Sequence, residues 1–236
     1  MMDYRAIERR LVEGLHISRR PVAVTFADAA PAGTPRFLGT VPSGCSFWRI
    51  AASGRTFYTV PSDHHNCVIG SHTHNISLPE ERAGGLPQML TLMTGIGYIR
   101  MEEVPNIPRL PRMPGVVIYA PLGDAPVAPD VVVFAGRPGR VMLLQEAAIR
   151  AGLMPQAPLL GRPTCMALPG ALAQGTVAST GCIGNRVYTD LGEDELYVVV
   201  PGRDLQKVAD EVETIVAANT RLFEYHRERR QALATD

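Results

Sequence analysis

Pro21-Val22-Ala23-Val24-Thr25-Phe26 is a short β-branched run that returns in the second half of the chain as Pro129-Asp130-Val131-Val132-Val133-Phe134. Runs of this length and composition, bounded by turn-forming residues, predict buried β-strands. A second run, Val116–Pro121, is matched in the same way by Leu196–Pro201. Two strands that recur in the same order predict an internal duplication.

Helical patterns frame these strands at both ends of the chain. Apolar residues recur every three or four positions in Tyr4–Leu15, and again after Asp204, a residue type that favours helix N-caps. Helices interleaved with strands predict the α/β class, with α+β left open. The expected architecture is one domain over residues 1–236, built of two similar pseudo-symmetric halves at 1–121 and 122–236.

The composition excludes several classes of partner. The chain has 23 basic and 23 acidic residues, so no excess charge favours binding to nucleic acid or to a membrane surface. Its charged start is unlike a signal peptide, and no apolar run reaches the length of a membrane span. We therefore expect a cytoplasmic protein that acts on a small-molecule substrate or ligand, with homo-oligomerisation left open.

Histidine is concentrated in Asp63–His74, with sequence DHHNCVIGSHTH, which holds four of the six histidines. If this stretch is extended, His72 and His74 lie on the same side of a strand and can bind one metal ion. A mixed nitrogen and sulfur shell is then completed by one of three neighbours: His64, His65 or Cys67. The predicted metal ligands in this stretch are therefore Cys67, His65, His72 and His74, and zinc or iron in a mononuclear or haem site fits them.

The four cysteines fall at matching places in the two proposed halves: Cys45 with Cys165, and Cys67 with Cys182. In a reducing compartment such cysteines are more often free, metal-bound or catalytic than disulfide-bonded. If a pseudo-two-fold axis brings the four thiols together, they form a ligand set for an iron–sulfur cluster or another thiophilic metal. The chain has no Cys-x-x-Cys pair, so this prediction depends on the duplication and not on a local motif.

Several of these segments together resemble a known family. They are Cys45–Trp48, Asn66–Gly70, Gly97-Tyr98, Pro129–Val132, Cys165, Gly181–Gly184 and Val200–Gly202. In this order they are similar to the bacterial and archaeal family named domain of unknown function 169. The resemblance implies one domain of family length and a cytoplasmic origin, and it implies no catalytic role for any residue.

Three functions remain open on the sequence alone. The first is a metal-binding, redox-active protein with an iron centre, a metal-dependent oxidoreductase if it turns over. The second is a cofactor-independent epimerase in which Cys67 and Cys182 exchange a proton with the substrate and Arg186 binds its carboxylate. The third is a module that binds haem or handles metal without turnover.

Overall fold

The computed structural model describes residues 2–153 and 163–233, which contain eight α-helices and six β-strands. The helices are α1 Tyr4–Leu15, α2 Ser46–Ala52, α3 Val68–Thr73, α4 Gly85–Gly95, α5 Pro138–Arg150, α6 Ala167–Gln174, α7 Ile183–Thr189 and α8 Leu205–Leu233. The strands are β1 Val22–Ala27, β2 Phe57–Thr59, β3 Val116–Pro121, β4 Val131–Gly136, β5 Val177–Ser179 and β6 Leu196–Pro201. This mixed content confirms the expected class.

The six strands form one sheet in the order β2-β3-β1-β4-β6-β5, and all of its pairings are antiparallel. The two runs that begin the proposed halves, β1 and β4, pair at its centre. Val22 lies opposite Pro121 in the β1–β3 pair, and Val131 lies opposite Pro201 in the β4–β6 pair. A duplicated three-strand unit would give this strand order. The register, however, makes Val131 the counterpart of Val22, one residue beyond the Asp130 that the sequence match aligns with it, and the pseudo-symmetry stays a prediction.

The sheet separates two apolar cores because successive strand residues point to opposite faces. Ala23, Val132 and Phe134 belong to the core shared with α1, α5 and α8. Val24 and Val133 belong to the other core, where Phe47 and Trp48 of α2 and Leu168 of α6 are packed. Cys45 and Cys165 lie in this second core, so they are on the face of the sheet that carries α2 and α6.

The second half of the histidine-rich stretch folds as helix α3, Val68–Thr73, and the prediction of a strand at residues 72–74 is wrong. Its helical start is stabilised by Cys67, whose sulfur accepts a hydrogen bond from the Gly70 N–H, 3.3 Å away. His72 lies in the last turn of α3 and His74 is its C-cap residue, so neither has the extended backbone of a strand. They therefore do not form the one-sided pair that the strand would have given.

Helix α8 is the longest element, and only its first part is packed on the domain. Leu205, Val208 and Val212 are buried, whereas residues 220–233 are exposed. No helix in the described part of the chain is both long enough and apolar enough to span a membrane.

Candidate functional site

One cavity of about 600 Å³ is lined by all four cysteines. Each comes from a different segment: Cys45 precedes α2, Cys67 caps α3, Cys165 lies in a short turn before α6, and Cys182 precedes α7. The side chains are free thiols. The fold therefore brings cysteines that are far apart in the sequence to the wall of one cavity.

Cys45 and Cys165 form the buried part of this group. Burial, together with the nearby Cys67, raises the pKa of Cys45 to about 12. Burial also raises the pKa of Cys165 well above its usual value, and Cys45 and Cys67 add to the effect. Without a positive charge beside them, both side chains are neutral thiols at physiological pH.

Cys67 and Cys182 are only partly buried, and local hydrogen bonds fix their positions. The Cys67 sulfur lies 3.9 Å from the Ser43 hydroxyl, in addition to its bond from Gly70. The backbone N–H of Cys182 donates to the Thr164 hydroxyl at 2.5 Å. This bond joins the start of α7 to the turn that carries Cys165.

The difference in burial predicts a pattern of thiol labelling. In folded, metal-free protein treated with iodoacetamide near pH 7, we expect Cys67 and Cys182 to be alkylated well before Cys45 and Cys165, because only exposed thiolates react. Peptide mass spectrometry measures the four rates. Labelling in denaturant, where all four should react alike, is the control, and equal rates in the folded protein would contradict this assignment.

Glycine is required at position 70 but not at position 184. A Cβ on Gly70 would lie 2.9 Å from the Cys67 sulfur, whereas a Cβ on Gly184 meets nothing nearer than a Tyr188 ring carbon at 3.7 Å. We expect Gly70→Ala to disturb the Cys67 cap and to cost about 1–2 kcal/mol of unfolding free energy. Gly184→Ala, the matched control, should be neutral or stabilising by up to about 1 kcal/mol. Urea unfolding measures both, and equal effects would contradict the constraint at Gly70.

The predicted histidine ligands do not reach the cavity wall. None of His65, His72 or His74 is among the described residues that line it. His74 is 1% exposed and packs on Phe26, while the half-buried His72 accepts a hydrogen bond from Arg109 through its backbone carbonyl. The mixed nitrogen and sulfur shell is therefore not assembled on this cavity.

Metal-binding geometry is not preformed in the described residues. Within 2–153 and 163–233, no group of three or more histidine, cysteine or acidic side chains stands close enough to hold a metal ion. A centre bound by the four cysteines thus requires their sulfur atoms to move together from the cavity wall.

The side chain of Arg186 is hydrogen-bonded to the backbone of its own region. Its guanidinium donates to the backbone carbonyls of Thr180, Gly192 and Glu195. These bonds hold the loop that follows α7 against the segment before it. Arg186 is not among the described residues that line the cavity. Its position therefore gives no support to the prediction that it binds a substrate carboxylate there.

Comparison with protein families places the chain in a wider group. The family model described as Uncharacterised ArCR, DUF169, matches residues 10–211. The chain belongs to this family. The matched region contains all four cysteines, as the resemblance noted from the sequence led us to expect. No curated protein and no solved structure matches the chain.

Two features of this DUF169 protein's site were not predicted from the sequence. The first is Asn185, which lines the cavity at 2% exposure and lies within the glycine-rich stretch after Thr180. The second is the apolar wall supplied by α4, a helix with no buried residue. A sequence signal for α4 was present, because its apolar residues recur every three or four positions, at Leu86, Met89, Leu90 and Met93.

A pair of buried histidines lies beside Phe47 and Tyr119 of the core that contains Cys45. His64 and His74 are each 1% exposed, and their ring centroids are 5.8 Å apart. Thr59 contacts the His64 Nε2 at 2.9 Å, whereas the His64 Nδ1, both nitrogens of His74 and the Tyr119 hydroxyl have no hydrogen-bond partner. Burial lowers the pKa of both imidazoles, so the two rings are neutral.

Proposed function

We propose that this protein binds an iron–sulfur cluster through Cys45, Cys67, Cys165 and Cys182 and that the centre is redox-active. The observation that carries the proposal is the presence of four free cysteines from four separate segments on one cavity. Soft thiolates are the side chains that iron–sulfur clusters prefer, and four of them complete the usual ligand set.

A metal ion in this cavity would change the ionisation state of the buried thiols. Cys45 and Cys165 resist ionisation when no charge is near them. Iron stabilises thiolates directly, so binding would release the thiol protons and would strengthen as the pH rises. A bound cluster would supply one-electron transfer, and the role of this chain is to hold it in a largely apolar cavity that limits contact with water.

Single substitutions test the ligand set. We expect Cys45→Ser, Cys67→Ser, Cys165→Ser and Cys182→Ser each to lower the iron content of anaerobically purified protein several-fold. His65→Ala and His72→Ala are the matched controls and should retain the iron, since neither histidine lines the cavity. Four serine variants with full iron content would contradict the proposal, and loss of iron from the histidine variants would favour the mixed shell or a haem site.

A second candidate is favoured by the accessibility of one pair of cysteines. Cys67 and Cys182 are the partly exposed thiols of the cavity, and each immediately precedes a short helix. As a thiolate and a thiol they could remove and return an α-proton in a cofactor-independent epimerase. In that case metal-free protein would exchange deuterium into an amino-acid substrate, and Cys67→Ser and Cys182→Ser would stop the exchange. Both candidates use free thiols, which a reducing compartment preserves, and a cytoplasmic location is therefore part of this proposal.

A further inference from the structure

Helix α4 is rich in large apolar residues, yet none of its residues is buried. Five of its eleven residues are leucine or methionine, and Leu92 is 56% exposed. Its C-cap residue, Ile96, is 70% exposed. Soluble helices normally turn such a surface towards the core, so an exposed one that borders a concavity indicates a binding site.

The exposed residues of α4 surround one concavity. Met89, Leu92 and Ile96 all line the cysteine cavity. A further wall includes Ile183 of α7, which is 66% exposed. Large apolar side chains from two helices therefore meet water around one cavity, and its volume of about 600 Å³ is in the range of cavities that hold small organic molecules.

A second face of α4 also borders apolar space. Another cavity, of about 210 Å³, is lined by Leu90 of α4 and by Ile99. It shares Ile69, Met93 and Pro163 with the cysteine cavity. Helix α4 is therefore not closely packed on either of these faces, which leaves room for it to adjust to a bound molecule.

The lining of the cysteine cavity carries no charged side chain in the described part of the chain. A carboxylate, phosphate or ammonium group that entered it would lose its hydration without gaining an ionic partner, which is costly. The occupant that fits this surface is therefore uncharged and mostly hydrocarbon.

The thiols lie deeper in the same cavity than these apolar side chains. Cys45 and Cys165 are buried, and Cys67 and Cys182 are partly buried. Cys182 directly precedes the exposed Ile183. A molecule that covers Ile183 and the exposed side chains of α4 would therefore lie between the thiols and bulk water.

We propose that the cysteine cavity binds an uncharged, hydrocarbon-rich small molecule, which covers the exposed apolar side chains of α4 and α7. Removal of this surface from water supplies the affinity, and the lack of charge in the lining selects against anions and cations. A role for this molecule as the substrate of the iron–sulfur centre rests on the proposed function, whereas its binding does not.

A neutral probe and two matched substitutions test the position of the site. Equilibrium dialysis measures the binding of N-phenyl-1-naphthylamine to full-length, iron-loaded protein, and the bound dye is extracted before it is quantified so that absorption by iron does not interfere. We expect Leu92→Asp to weaken binding by about tenfold or more, because an apolar contact is lost and a carboxylate enters the cavity. Leu222→Asp is the matched control, since Leu222 lies on α8, outside the cavity lining, at 58% exposure. It should change the affinity by less than about twofold.

Two competitors of the same shape test the selection against charge. They are isopentylbenzene and 3-phenylpropanoate, in which a carboxylate replaces the isopropyl group. We expect isopentylbenzene to displace the dye and 3-phenylpropanoate to fail, because only the anion must be dehydrated without an ionic partner. Equal displacement by both would overturn the assignment of an uncharged ligand.

The outcomes separate the ligand site from the redox centre. Wild-type protein that does not bind the dye, or equal losses in Leu92→Asp and Leu222→Asp, would overturn the ligand site even if the protein is fully loaded with iron. The expected loss in Leu92→Asp, seen in protein found to hold no iron, would support the ligand site and count against the redox centre. Wild-type protein that binds no dye and forms a dimer that Leu92→Asp disrupts would assign this surface to a contact between two copies instead. Circular dichroism checks that the variants are folded, and Ile183→Asp, which should weaken binding as Leu92→Asp does, replaces it if that variant is unfolded.

Discussion

Gly202→Ala is expected to leave the protein largely unfolded. A Cβ at this position would lie 1.8 Å from the carbonyl oxygen of Pro129 and 2.8 Å from its carbonyl carbon. Both contacts are with backbone, so no side-chain rotation relieves them. The Gly202 N–H also donates to the Asp130 carbonyl at 2.8 Å, beside the β4–β6 pair in the middle of the sheet.

The expected cost exceeds that of ordinary overpacking, which is about 1–3 kcal/mol, because β6 must separate from the residues before β4. Against a total stability of about 5–15 kcal/mol, this loss should be visible as a large fall in soluble folded protein and in the urea midpoint. Gly139→Ala is the matched control, since a Cβ at Gly139 would have no neighbouring atom within 4 Å, and it should be neutral or slightly stabilising. A Gly202→Ala variant as stable as Gly139→Ala would contradict the packing described here.

Acid is expected to destabilise the fold through His64 and His74. Burial lowers the pKa of His74 from 6.5 to about 4, and it lowers that of His64 still more clearly, with help from His74, His65 and Arg36. The unfolded chain therefore binds more protons than the folded one below about pH 6.5. The free energy of unfolding therefore has its full value above about pH 6.5, and it decreases as the pH is lowered from 6.5 towards 4.

For His74 alone, the lowered pKa corresponds to a loss of about 3 kcal/mol in the free energy of unfolding once the pH reaches 4. His74→Phe should flatten the dependence, because it removes a titrating ring without breaking a hydrogen bond, both ring nitrogens being unpartnered. His226→Phe, on the exposed end of α8, is the control and should not change the slope. Urea unfolding between pH 4.5 and 7.5 measures how the free energy of unfolding depends on pH. The same dependence in His74→Phe as in the wild-type protein would show that this imidazole is not held neutral.

The sequence predicts well those elements whose pattern is local. The apolar period of Tyr4–Leu15 predicts α1, and the β-branched runs predict β1 and β4 at nearly their observed bounds. Helix α3 was missed because its six residues are too few for a period and its cap is a cysteine, an uncommon capping residue. Helix α6 and strand β5 lie in a run of small residues, where long-range packing, not local preference, selects the structure.

The candidate site divides in the same way. The four cysteines could be named from their order in the two proposed halves, although their intervals differ, and all four line the cavity. The pair of His72 and His74 could not be placed, since this part of the chain is the end of helix α3 and not a strand. Asn185 could not be recognised either, because its burial beside the cavity depends on how Gly181, Cys45 and Tyr197 pack around it.

The most direct test of the account is an absorption spectrum of protein purified without oxygen, with iron and acid-labile sulfide quantified on the same sample. We predict broad visible absorption that bleaches on reduction, together with iron and sulfide in comparable amounts. Colourless protein that contains neither, and that takes up neither when iron and sulfide are supplied under reducing conditions, would contradict the iron–sulfur centre.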